Sequence, residues 1–161
     1  MKNVKFELCF SACCLANGTG PSGERDVFQR DNEDNIVFQQ AAWFSAFAQG
    51  IDLARVRGIK PGDIHMNLSV KAPTEMYERR YGDGAHGESK YRVHEAIMPG
   101  TTVTFEAVVS DHVTESSLKE ILTKIGKYVG LSPYGFRLGM GRFNVVSVEV
   151  EHSESDNPGN V

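Results

Sequence analysis

A chain of 161 residues and 17.8 kDa has the size of one domain. An apolar share of 40% supports a packed core, while 17 Lys plus Arg against 21 Asp plus Glu, formal net charge -4, exclude a histone-like, wholly basic nucleic-acid binder. No stretch approaches the about 18 apolar residues of a membrane span. Residues 1–7 alternate polar and apolar and carry Glu7, unlike the unbroken apolar stretch of a signal peptide. Cys9, Cys13 and Cys14 are an odd count with two adjacent, so a disulfide scaffold is a poor fit and a reducing cytoplasm is the expected compartment.

The charge is segregated. Residues 24–34 carry five acids and two bases, residues 119–142 carry five bases and one acid, and residues 149–161 carry four acids and no base. Without that end the chain holds 17 bases against 17 acids, so the global -4 belongs to the tail, and residues 152–161 read as a flexible acidic end.

In chain order, Val4, Phe6, Leu8 and Phe10 alternate with Lys5, Glu7 and Cys9, the period of a half-buried strand. Turn residues crowd residues 17–23. Val27-Phe28 and Ile36-Val37-Phe38 flank an acidic run and could pair as a small hairpin. Trp43, Phe47, Ile51 and Ala54 predict a helix over residues 39–54, with Gly50 as a weak point. Ile64, Met66, Leu68 and Val70 alternate as a second strand. Residues 72–100 are irregular and polar, with a turn at Gly82-Asp83-Gly84 and a short strand around residues 90–98. Val103, Phe105, Ala107 and Val109 predict a third strand. Thr114 reads as an N-cap, Leu118, Ile121, Leu122, Ile125 and Val129 as one helical stripe, and Gly130 as its stop. A glycine-rich turn then leads into a last strand over residues 142–150.

Strand, helix, strand, strand, helix, strand is the split βαβ plan of the ferredoxin-like fold, an α+β antiparallel sheet with two helices on one face. The expected domain is residues 1–151, interrupted by insertions at about residues 11–38 and 72–100, long enough to be functional.

The sharpest local chemistry lies between Gly135 and Phe143. Its close glycines, Gly139 and Gly141 among them, allow backbone to approach a ligand and offer amides to phosphate oxygens. Arg137 and Arg142 flank them with the fork geometry that suits phosphate, and Lys124 and Lys127 precede them. It is not a nucleotide P-loop, since the pattern lacks the Lys-Ser/Thr and precedes a strand. In the second insertion, Arg79-Arg80-Tyr81 and Lys90-Tyr91-Arg92 mix cations with aromatic rings, which suits a single strand held by charge and stacking, although acids are interleaved and a solvated loop reads equally well. The outward residues of the first and third strands (Lys5, Glu7, Cys9, Thr102, Thr104, Glu106, Val108) include no aromatic, which disfavours base stacking of the RNA-recognition-motif kind. The cysteines lack zinc-finger spacing and the acidic run lacks EF-hand spacing, so no metal or other cofactor is expected. His86 or His94 with Arg79 would suit a small ribonuclease, but solvated loop histidines are the plainer reading.

The strand of residues 101–111, the helix of residues 116–129, and the run Gly130, Gly135, Gly139, Gly141-Arg142-Phe143 entering a strand resemble the RAMP superfamily, the repeat-associated proteins that bind guide RNA in CRISPR complexes. The stretch from Phe28 and Asp31 to Trp43 and Ala46 is similar to their approach to the first helix. The insertion at residues 72–100 sits where backbone-type members carry a thumb. The chain departs in having Ser132-Pro133-Tyr134 where many members have more glycine, and in being short for a processing endonuclease of that group. The resemblance implies a divergent small member serving in antiviral defence. Its expected role is a non-catalytic binder of a single-stranded nucleic-acid backbone, RNA first, able to line up as a homo-oligomer or nucleoprotein complex. The expected contacts are Arg79, Arg80, Lys90, Arg92, Lys124, Lys127, Arg137, Gly139, Gly141 and Arg142. The alternative is an interaction or structural oligomer protein, such as a mobile-element inhibitor or decoy of a nucleoprotein complex.

Overall fold

The computed structural model describes residues 1–81, 90–132 and 138–151, with Tyr81 and Lys90 as backbone only. The expected turn at Gly82-Asp83-Gly84, His86, Arg137 and the acidic tail lie outside these residues.

The central sheet has four antiparallel strands in the order β12 (Phe143–Val150), β1 (Lys2–Phe10), β11 (Thr102–Val109), β7 (Ile64–Met66). Period-two alternation puts Val4, Phe6, Leu8 and Phe10 of β1 and Val103, Phe105, Ala107 and Val109 of β11 on one buried face. Helices α1 (Gln40–Ala54) and α2 (Glu115–Lys124) bring Trp43, Phe47, Leu118, Ile121 and Leu122 into the same core. Trp43 is its hub, with ring centroids 5.2 Å from Phe105 and 5.5 Å from Phe47. Gly50 does not interrupt α1. A side chain there would meet Ile125 Cγ1 at 2.5 Å, so glycine is what lets the end of the α2 segment cross so closely. Thr114 caps α2 as predicted, its Oγ1 accepting from the Ser117 amide at 3.1 Å. The helix then widens into a π turn, Ile125–Val129, and stops at Gly130. The opposite face of the sheet exposes Lys5, Thr102, Thr104 and Glu106, with Glu7, Cys9 and Val108 partly covered and no aromatic ring among them.

The second predicted strand is two strands. β7 stays in the central sheet, while β8 (Ser69–Val70) joins a separate sheet. The break is at Asn67, whose amide still bonds to Glu106 O (2.9 Å) while its Oδ1 accepts from the Ser69 amide (3.1 Å), a side-chain turn that bends the chain out of the ladder. The second insertion therefore begins at Asn67, earlier than residue 72. It is also less irregular than its composition suggests, because β9 (Glu75–Tyr81) and β10 (Lys90–Ile97) form a hairpin. The first insertion holds β2 (Cys14–Leu15), β3 (Gly18–Thr19), β4 (Arg25–Val27), β5 (Gln29–Arg30) and β6 (Ile36–Val37).

The two insertions form shared sheets. β2 of the first pairs with the hairpin of the second in the order β2-β10-β9, and β8 of the second extends a β5-β6 hairpin in which Gln29-Arg30, not the expected Val27-Phe28, pair with Ile36-Val37, while Val27 pairs with Gly18. No helix among the described residues is long and apolar enough to cross a membrane.

Candidate nucleic-acid interface

The interface between the insertions is polar, and it claims several of the predicted ligand-binding residues. Asp26 is buried and accepts two bonds from Arg92, from Nε at 2.9 Å and Nη2 at 3.1 Å. It holds a left-handed backbone (φ 59°) that Asp tolerates better than most residues. His94 is fully buried. Its Nδ1 lies 2.7 Å from Ala16 O, which can only accept, so Nδ1 carries the proton and Nε2 accepts from Arg79 Nε at 3.2 Å. Glu95 takes the Phe28 amide (2.8 Å), Arg30 Nη2 (2.5 Å) and the Thr74 hydroxyl (2.7 Å). Burial pushes the Glu95 carboxyl up, and the three donors together outweigh it, leaving it below the usual carboxylate range.

Three of the predicted residues therefore need correcting. Arg92 is a strut between the insertions, its Nε and Nη2 committed to Asp26, although its side chain stays partly exposed. His94 is not a solvated loop histidine or an available base, because both ring nitrogens are occupied in the interior. Gly141 does not offer its amide to a ligand, because that amide donates to Cys13 O at 2.7 Å. Gly141 has φ 70°, and a Cβ there would lie 2.3 Å from the Ser132 nitrogen, so glycine is required for the turn to pack. The acidic run is a hairpin tip, with Asp31 accepting from the amides of Glu33 and Asn35 within its own turn. Burial pushes the Cys14 thiol up to about 12, and among the described residues no three His, Cys, Asp or Glu side chains converge on a metal site.

The remaining predicted residues fall into two groups. Arg79 and Arg80 of β9 line a groove of about 590 Å³ together with Leu138 and Met140 of the glycine-rich turn; as strand neighbours their side chains leave on opposite faces, and Arg79 also donates to His94. Four consecutive residues of β9, from Tyr77 to Arg80, line it. β9 is the edge of its sheet among the described residues, so this side presents backbone groups as well as guanidinium groups. Arg80 is exposed, with the Glu78 carboxylate 3.4 Å away as its neighbour. Arg142 folds its side chain over Gly139, and its Nε is buried without a partner among the described residues. The second group is a pair, Lys124 and Lys127, each over the ring of Tyr128, with ammonium nitrogens 5.7 and 5.3 Å from the ring centroid. Sequence reading missed Tyr128, although an aromatic residue directly after Lys127 and one helical turn after Lys124 was the available signal. Lys90 enters the hairpin through its backbone, paired with Tyr81.

A second depression, about 420 Å³, lies between the start of α1, residues 14–18 and 27–29 of the first insertion, and residues 129–132. Sequence reading gave no sign of it.

No protein-family model matches the sequence, and no curated protein matches it either. Among solved structures, the chain is similar to one in the cryo-EM structure of the Type III-B Cmr-beta bound to cognate target RNA, with a TM-score of 0.62 at 12% identity. The match covers 92% of this chain but 60% of that one, so this chain spans well under two thirds of its neighbour's length. At this identity the likeness is one of fold: a mixed α and β architecture like that of a chain in the Type III-B Cmr-beta structure.

Proposed function

We propose that the chain is a non-catalytic RNA-binding module of the RAMP kind, built on a ferredoxin-like core, and that the groove between β9 and the glycine-rich turn carries the RNA backbone. The sheet order and the alternation of strands and helices support the ferredoxin-like assignment. One observation carries the functional reading. Two segments that sequence reading marked separately for nucleic acid, Arg79-Arg80 and the glycine-rich turn, line the same groove. Arginines and strand-edge amides suit phosphate oxygens, and Leu138 and Met140 give an apolar wall for base faces. The fold likeness to a chain from an RNA-bound assembly supports RNA over other polyanions.

Retention of a labelled single-stranded RNA at low salt tests this. Wild type should retain it, and Leu138→Asp, which sets a carboxylate on an exposed position opposite the arginines, should weaken retention about tenfold without altering the fold. Failure of wild type to retain any RNA or single-stranded DNA at low salt would overturn the proposal.

A self-associating role has one observation in its favour. Met76, Tyr91 and Val93 are 61%, 60% and 42% exposed on the hairpin of β9 and β10, and the strand register puts them on one face. If copies meet there, Met76→Asp with Tyr91→Asp should reduce particle mass in light scattering and leave the monomer folded. An unchanged mass would remove this reading.

A further inference from the structure

The 420 Å³ cleft beside α1 has a different chemistry from the groove. Among the described residues, no charged side chain lines it. Its polar equipment is neutral: the amides of Asn17, Gln29, Gln39 and Gln49 stand around its rim. Three of these, Asn17, Gln29 and Gln39, make no side-chain hydrogen bond among the described residues. Gln49 uses only its nitrogen, toward Ser45, so its oxygen is also open. Apolar walls complete the cleft, including the rings of Phe28 and Phe38, whose centroids are 6.0 Å apart. A phosphate would be desolvated here with no cation to meet it. A neutral planar heterocycle would lose little on entering, and its edge would find amides that carry a donor and an acceptor side by side, the pairing that matches base edges. The volume lies within the range of about 300 to 1,000 Å³ common to small-molecule sites.

We infer that this cleft is a nucleobase pocket, which takes a base of the same strand whose backbone lies in the groove. This rests on the RNA-binding reading for the strand, though not for the pocket's own chemistry. The two sites are adjacent along the chain: Ser132 borders the cleft and Leu138 the groove. Six residue steps separate them, which no conformation can stretch beyond about 20 Å.

The test uses the full chain labelled with nitrogen-15 and three probes: adenosine, uridine and ribose 5-phosphate. A nucleoside should shift the side-chain amide signals of Asn17, Gln29, Gln39 and Gln49 saturably, and ribose 5-phosphate should not. Ala42→Phe, at an exposed position on the cleft wall, should abolish those shifts while the other backbone signals stay in place. Gln29→Ala, also exposed, gives a second variant that leaves the core intact and should weaken them. In parallel, wild type should bind an RNA oligomer about tenfold tighter than an abasic oligomer of equal length, and Ala42→Phe should lose most of that preference, which base contacts in the groove alone would leave unchanged. Nucleosides that move none of the four amides, or ribose 5-phosphate that moves them equally, would overturn the pocket. Equal binding of intact and abasic oligomers would overturn it as well, and would leave the backbone groove standing. Nucleoside binding with no retention of either oligomer would do the reverse, supporting the pocket and removing the groove.

Discussion

The central sheet and the paired insertions are held together by different physics. The sheet and its helices bury aromatic and aliphatic side chains around Trp43 and Phe105 with hardly a charge among them. The insertions meet through polar stitches instead: Asp26 with Arg92, His94 with Ala16 and Arg79, Glu95 with Arg30, Thr74 and the Phe28 amide. Burial without direction suffices for a core, whereas hydrogen bonds fix the relative placement of two loops and so the shape of the surfaces they carry. The groove and the cleft are both lined in part by the insertions, so the polar region sets the candidate sites and the apolar region supports them.

This contrast gives graded predictions. Truncating the core should have the largest effect: Phe105→Ala should cost about 3–5 kcal/mol and unfold the whole domain cooperatively in a denaturant titration. Next, Asp26→Ala leaves Arg92 without its acceptor and should cost about 2 kcal/mol, given that Arg92 is partly solvated. Hydrogen exchange should localise that loss to β4 and β10, while amides of β1 and β11 keep their protection. A uniform loss across the sheet would show that the insertions and the core are one cooperative unit.

Glu95→Gln is a smaller perturbation of the same stitches, about 1–2 kcal/mol at neutral pH. Because the folded carboxyl titrates below its unfolded value, its contribution is fully present above the unfolded value of about 4.5 and is lost as pH falls through the lower folded value. The gap between wild type and Glu95→Gln in melting experiments should therefore be constant at neutral pH and shrink in acid. A gap that stays constant down to pH 3 would contradict the bonding given to Glu95. The smallest effect is chemical and leaves stability alone. Cys9, on the open face of the sheet, should react with iodoacetamide first, while Cys14 stays protected in the folded protein, since its thiol is buried and pushed up to about 12.

What could be read from the sequence follows the same division. β1, β11, α1 and α2 were legible because each repeats apolar residues at its own period and each buries one face. The divided strand at Asn67 was not, since Leu68 and Val70 continue the alternation while a side-chain hydrogen bond turns the backbone aside. β9 was not legible either, because Glu75–Tyr81 has no apolar alternation and is held by pairing with β10. Arg92 and Asp26 lie 66 positions apart, and a polar contact at that range leaves no local mark. The same holds for the four amides of the cleft, which come from the first insertion and from α1. Arginines near glycines pointed to a surface, but only the fold shows that Arg92 braces the insertions, that Arg80 borders the groove, and that Arg79 does both.

The central claim is that the groove along β9 neutralises the phosphates of a single strand. The salt dependence of RNA affinity, wild type against Arg80→Ala, tests it most directly. Affinity should fall linearly on logarithmic axes, and losing one arginine contact should make the slope shallower by about 0.7. Parallel lines for the two proteins, with equal affinity at every salt concentration, would contradict a phosphate contact by Arg80.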